Sequence, residues 1–486
     1  MENLNLTLPG NPRYQPKEMI PMFGYDNLYK KVALVEIATL ETLAEIGVIS
    51  TEEIKKLDAK AKQRLLEIKT TNVDKTEREI TKHDIRAWVK EAQEVLDEDI
   101  AKWLHIPLTS YDVIDTARIL QFRDAYQEAL GPSLVEVTGV LMGLVENYSK
   151  QIQIGRTHGQ HALPITVGFW LATILNRIVY NWEKIDLYCD NLVGKISGAV
   201  GAHNAQFGLQ FTKIQDKESF EEKVLKRLQL KSSRISTQIL PPEPLGFFLF
   251  SSVCLSSVLG QFGRDCRHLM RSEIGEIMES FEKGQVGSST MAHKRNPVNF
   301  ENLEGMWIKT KNEFGKVFDS FICEHQRDLV GSSVSRDYPI IPINLQCQLN
   351  TLLRKNNEGV TFLERIFVSD EACRKNFSKN SNVILAEPLY IAIQMAGFKG
   401  DAHELVNHKI VPKAQESKKL LIDVFEDLAK EDDELRKVLD NIPMEILKLL
   451  KEPEKYIGDA REKSLEIVDY SRLIINKIKK DGTTKR

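Results

Sequence analysis

Leu171–Leu192 reads LATILNRIVYNWEKIDLYCDNL, and its spacing decides the fold class. Leu171, Ile174, Leu175, Ile178, Trp182, Ile185, Cys189 and Leu192 recur at three- and four-residue steps. That period lays them along one stripe of an α-helix several turns long. No proline falls between Pro164 and Pro241, between Pro244 and Pro297, or between Pro297 and Pro339, so nothing there need break a long helix. The same stepping runs through Val258, Phe262, Cys266 and Leu269, then Met270, Ile274, Ile277 and Phe281. It resumes in Phe300, Leu303, Trp307, Phe314, Phe318 and Phe321, with Pro297 suited to that helix's first turn. No sustained two-residue alternation competes with it. The expectation is an all-α chain whose long helices bundle, with leftover apolar faces buried against other subunits.

A chain of 486 residues exceeds one ordinary domain. We divide it into an N-terminal helical domain (1–107), a central long-helix bundle (108–355) and a C-terminal helical domain (356–486) ending in a basic tail. A 42% apolar and 28% charged composition suits a globular protein with a sizeable core. The net charge of −3 offers no global field for nucleic acid or an acidic membrane. The six cysteines form no C-x-x-C pair, which points to buried reduced thiols and to neither disulfides nor a zinc site. The start carries Pro9, Gly10 and Pro12 and no apolar run, unlike a signal peptide. No apolar segment is expected to span a bilayer, and the expected location is cytoplasmic.

Between the second and third helical runs, Gly284–Pro297 reads GQVGSSTMAHKRNP. It has no apolar period, so it is a loop between helices. Lys294 and Arg295 attract carboxylates, and hydroxyls beside fixed positive charge suit an alkoxide base or oxyanion donors. A basic surface connector is the alternative. Gly155–Pro164, GRTHGQHALP, places His158 among polar and glycine neighbours, where a near-neutral pKa suits proton transfer; His161 reads as a spectator. Leu104–Ala117, LHIPLTSYDVIDTA, sets Thr109 and Ser110, short donors, before a helix beginning near Asp112; Ser110 or Asp112 as a plain helix cap is one reading, and a carboxylate bound at the helix start is the other. In Thr81–Ala87, TKHDIRA, His83 and Asp84 are expected on one helix, facing different directions. Glu324–Arg336, EHQRDLVGSSVSR, resembles a phosphate cradle of two arginines and adjacent serines; salt bridges to Asp328 and Asp337 are the alternative.

Together and in this order, the loop, GRTHGQ and LTSYDVIDTA resemble the three shared regions of the fumarase/aspartase superfamily. Within it the chain is most similar to the adenylosuccinate lyase family. The similarity extends to RY-x(3)-EM at Arg13–Met19, KHD at Lys82–Asp84, HIPLTSYD at His105–Asp112 and RDL-x-x-SS-x-x-R at Arg327–Arg336. It covers roughly the first three quarters of the chain. The resemblance implies a three-domain, nearly all-α homotetramer with each active site built from three subunits. It implies fumarate elimination from adenylosuccinate and from the succinyl-carboxamide ribotide of purine synthesis, with no metal or cofactor. By motif position, His158 matches the general acid, Ser288 the general base (Ser289 being the alternative), and Glu301 the acid that orients the histidine. Lys294 and Asn296, with Thr109 and Ser110 beside them, match the residues that hold the succinyl carboxylates, and Thr157 and Ser289 flank the acid and the base. Arg13, Tyr14, His83, Asp84, His105 and Gln238 match nucleotide contacts, and Arg327, Ser332 and Arg336 the phosphate site. Ala292 stands where the family usually has proline. His161 does too, and a histidine there is similar to the carboxymuconate cycloisomerases of the same superfamily, the enzymatic alternative. A non-catalytic scaffold of the same fold is the other.

Overall fold

The computed structural model describes residues 14–24, 27–280, 291 and 293–480. Arg13, Ser288, Ser289 and Ala292 therefore lie outside the described residues. The described residues are mostly helical. The helices that organise it are α1 (Asn27–Glu45), α2 (Asp84–Val95), α3 (Ser110–Ala125), α4 (Gly131–Asn147), α5 (Val167–Asp190), α6 (Glu243–Leu269), α7 (Val298–Asp319), α8 (Ile340–Leu353) and α9 (Ala460–Lys480). The strands are short: β1 (Ile152–Thr157), β2 (Gln160–Thr166), β3 (Val193–Gly194), β4 (Lys231–Ser232), β5 (Ile277–Met278) and β6 (Phe367–Val368). They pair as β1–β2 and β5–β6, both antiparallel, and β3–β4, parallel.

The stripe read in α5 is buried where it was expected: Leu171, Ile174, Leu175, Ile178, Trp182, Ile185 and Cys189 all face the core. α5 packs against α4, α6 and α9, and α6 packs against α7 and α8. α3 continues into α4 through one wide π-turn, Tyr126–Leu130, just ahead of Pro132. A proline lacks the N–H its turn needs and clashes with the carbonyl four residues back, and the wider turn accommodates both. One core gathers side chains from Met19 to Ile478, α9 included; a second, smaller one runs from Leu385 to Leu450. Cys189, Cys266, Cys347 and Cys373 are buried and all six cysteines are free. Burial pushes the Cys373 thiol up to about 12.

Two expectations change. The apolar stepping after Leu269 is not helix: α6 ends there, Gly275 takes a positive φ of 63°, and Ile277–Met278 becomes β5. Second, Ser110–Asn147 and Glu243–Leu269 are long and apolar enough to cross a bilayer, although none was expected. Both are bundle helices. A helix packed on several faces in a core has the composition of a membrane span, so length and hydropathy do not separate the two settings.

Candidate active site

The N-terminus of α3 forms the floor of a cleft. Thr109 is extended and caps the helix, and its N–H donates to the Asp112 carboxylate at 2.8 Å. Asp112 is fully buried and also accepts from the Ser197 and Gly198 N–H groups at 3.0 and 3.1 Å and from the Lys195 ammonium. Lys195 is fully buried as well. This pair ties the start of α3 to the segment after β3, and half-buried Ser110 with exposed Ala199 and Val200 lines the cleft. Removing one member of such a pair leaves the other charged and buried. Lys195→Met is expected to cost about 3–5 kcal/mol of stability, and Lys195→Met/Asp112→Asn distinctly less. Urea-denaturation midpoints check this, and equal losses would show that charge is not the cause.

The cleft has a volume of about 670 Å³ and is lined by His83, Asp84, Thr109, Ser110, Gln238, Arg327 and Ser332 among others. Six residues from three separate sequence motifs, with Gln238, which only the family resemblance named, thus meet in one place. Arg327 stacks on the Tyr111 ring at 3.1 Å and donates to Gln238 Oε1 at 3.0 Å. Ser110 Oγ lies 3.4 Å from His83 Nε2. His83 is not on the helix with Asp84. It is the extended residue just before α2, and this turns its Nδ1 to within 3.2 Å of Asp84 Oδ1. The expectation that the two face apart is corrected: it assumed helical geometry one residue too early. The salt-bridge alternative for the arginines also fails among the described residues. Asp337 pairs with Lys316 at 2.8 Å, and Asp328 accepts the Glu324 and Val330 N–H groups, both at 2.7 Å. Those bonds hold the Asp328 carboxyl below its usual range. Arg336 does not line the cleft. It is exposed on the turn Ser335–Asp337, yet with Asp84 it acts on the buried Tyr29 hydroxyl, whose pKa burial raises. Behind the cleft a narrower, largely apolar cavity of about 130 Å³ shares Tyr111, Arg327, Asp328 and Ser332.

His158 sits elsewhere, at the tip of the β1–β2 hairpin. Thr157 pairs with Gln160, leaving His158 and Gly159 as a two-residue turn with φ of 55° and 76°. Positive φ at both central residues is the type I′ pattern, which glycine takes freely and histidine does not. A Cβ on Gly155 would stand 2.8 Å from the Leu163 carbonyl, so the first glycine of GRTHGQ permits the strands' close approach. His158 and Thr157 are exposed and do not line the cleft of their own chain. His161 pairs with Arg156 across the hairpin, and burial, then Arg156 and Lys379, lower its pKa.

The remaining residues fall in other places. Lys294, exposed, and Asn296 precede α7, and Glu301 is exposed in its first turn. Buried Glu279 fixes that helix start, accepting from the Asn299 and Phe300 N–H groups at 2.8 and 2.9 Å. Tyr14 packs near α7, with Asn302 3.5 Å from its hydroxyl and Lys309 over its ring. His105 is held by the fully buried Glu36, through Nδ1 at 2.8 Å and its N–H at 2.9 Å, and does not line the cleft. Asp112 was read from sequence only as a possible cap, a place Thr109 takes, and Lys195, Glu276, Glu279 and Glu36 were not singled out. Charges at positions with no apolar partner pattern look solvated until the fold encloses them.

Comparison with known proteins agrees with this architecture. A family model described as "Lyase" matches residues 19–310. The chain is a lyase of the fumarase/aspartase superfamily. It is 34% identical to the adenylosuccinate lyase of Pyrococcus horikoshii over 467 residues, which cover 95% of this chain and 97% of that one. It is 33% identical to that of Archaeoglobus fulgidus over 462 residues, with the same 95% and 97% coverage. Among solved structures, a 3-carboxy-cis,cis-muconate lactonizing enzyme from Pseudomonas putida matches with a TM-score of 0.77 at 22% identity, over 95% of this chain and 98% of that one. A fumarate lyase from Mesorhizobium sp. BNC1 gives 0.78 at 21%, over 95% and 99%. These two likenesses concern the fold.

Proposed function

We propose that the chain acts as an adenylosuccinate lyase, splitting adenylosuccinate into AMP and fumarate and releasing fumarate from the succinyl-carboxamide ribotide in the same way. The observation that carries this reading is the cleft, where His83, Asp84, Thr109, Ser110, Gln238, Arg327 and Ser332 converge. Donors for a carboxylate at the α3 N-terminus and an arginine–serine pair for a phosphate suit the two ends of a succinylated nucleotide.

The chemistry begins with a weakly acidic proton beside a carboxylate. Ser288, as an alkoxide, removes it. The resulting doubly negative aci-carboxylate needs donors and cations already in place, which Lys294, Asn296, Thr109 and Ser110 supply. The C–N bond then breaks, fumarate forms, and His158 delivers a proton to the departing nitrogen, an assistance worth roughly 100- to 10,000-fold. Glu301 orients the histidine. His158 stands outside its own chain's cleft, which supports sites that draw His158, the cleft and the signature loop from different subunits; that the assembly is a homotetramer is what the family resemblance implies. Exposed Tyr180 and Leu187 on α5, Phe247 and Phe250 on α6, and Ile308 and Phe318 on α7 support burial of these faces against further copies.

A cycloisomerase reading would rest on His161, but that substrate lacks the phosphate that the Arg327–Ser332 pair in the cleft suits. Incubation with adenylosuccinate should yield AMP and fumarate in equal amounts; no turnover of either succinyl-purine ribotide would sink the reading. Within it, Arg336→Ala should raise KM by the loss of a charged hydrogen-bond partner, about 1.5–3 kcal/mol. The effect should be small for a dephosphorylated substrate. Equal losses on both substrates would make Arg336 structural.

A further inference from the structure

Glu276 is fully buried, and four side-chain donors converge on it. One oxygen accepts from Arg156 Nη2 at 2.5 Å and from Asn376 Nδ2 at 2.9 Å. The other accepts from Arg156 Nη1 at 3.0 Å and Gln153 Nε2 at 2.8 Å. Gln153 and Arg156 belong to β1, and Arg156 stands two residues before His158. Asn376 lies on the helix Asp370–Ser378, and its Nδ2 also donates to the Ile274 carbonyl at 2.8 Å. The Glu276 carbonyl accepts from the Ser369 N–H at 2.9 Å, and the next residue begins β5. Among the described residues the hairpin tip has no comparable anchor: His158 is exposed and its turn is left-handed. The direction in which His158 points is therefore set in the strand behind the turn, at Gln153 and Arg156. A bidentate arginine–carboxylate pair fixes angle as well as distance, which a single hydrogen bond does not.

We propose that Glu276 is a positioning residue, acting through Arg156 to hold the His158 hairpin at the angle proton transfer requires. The inference rests on the elimination reading for its kinetic consequence and on geometry alone for the mooring. The alternative is that Glu276 serves the β5 stem leading toward the signature loop.

Three measurements on the full-length protein separate these. In Glu276→Gln, amides of residues 152–166 should exchange roughly tenfold faster while those of α5 and α6 keep their protection. Unchanged hairpin exchange overturns the mooring, whatever the enzyme's substrate. In turnover, Glu276→Gln should lose roughly 10- to 100-fold in kcat with KM within about twofold, since displacement by an ångström is that costly. Arg156→Lys, which keeps the charge but not the fork, should lose kcat to a smaller degree. A KM-dominated loss counts against the proposal. Finally, Glu276→Gln is mixed with Lys294→Ala, or with His158→Gln, and assemblies are re-formed. The first mixture should regain roughly a quarter of wild-type activity, because intact hairpins and intact loops come from different chains. The second should stay at or below Glu276→Gln alone. The reverse pattern would assign Glu276 to the loop stem. If the wild type does not turn over adenylosuccinate, the elimination reading fails, and the exchange measurement still decides the mooring.

Discussion

Ser288→Ala should lower turnover by roughly 100- to 10,000-fold while leaving substrate affinity within about twofold. The hydroxyl contributes mainly when the proton leaves carbon, so the ground-state complex loses little. On the proposed reading the nucleotide and succinyl ends are held by other groups, Arg327 and Ser332 for one and Thr109 and Ser110 for the other, all of which line the cleft. Ser288 lies outside the described residues, and its role is inferred from its place directly after Gly287. Ser289→Ala is the matched control and should retain most activity. The measurement is single-turnover fumarate release, with substrate binding followed by calorimetry. Full activity in Ser288→Ala would remove that residue from the mechanism, and an inverted pair of results would move the base to Ser289.

The helices were legible where one face of a helix meets one core. The α5 stripe is the clearest case, and Phe300 and Leu303 of α7 are buried as their spacing implies. Further along α7 the same period leads to Phe318, which is 65% exposed on the isolated chain. Periodicity reports that a face wants burial, not what buries it. The β1–β2 hairpin went unread because its alternation spans few residues and a bulge between Ile154 and Arg156 interrupts it. Its signal was His-Gly between Thr157 and Gln160, a relative of the Asn-Gly and Asp-Gly turns. For the site, Gln238 had no local signal, but residue types that bind anions were recognisable from local sequence, and the structure brings Thr109, Ser110, Arg327 and Ser332 into one cleft. Their supports were not recognisable. Asp112 and Lys195, or Glu276 and Arg156, are separated by many residues, and only the fold pairs them. A buried charge network is a property of tertiary proximity, which one sequence does not carry.

The second large effect is a gain from silence. His158→Gln and Ser288→Ala are each expected to be inactive. The two residues lie more than a hundred positions apart in the sequence, and His158 projects from a hairpin outside the cleft of its own chain. If every site takes its histidine from one subunit and its serine from another, subunits carrying different lesions can complete one another. Both variants are dissociated or unfolded, mixed in equal amounts and allowed to re-form. With free shuffling, a given site draws an intact hairpin half the time and an intact loop half the time. Roughly a quarter of the sites then hold both wild-type residues, and activity should return to about that fraction of wild type. Re-forming either variant alone should leave it at its own low residual activity. Sites built within one chain would each keep a lesion, and the mixture would stay silent. Silence, with mixed assemblies verified by mass, would therefore overturn the shared site. Recovery in proportion to the mixing ratio, greatest at equal amounts, would tie the catalytic unit to an assembly rather than to the chain.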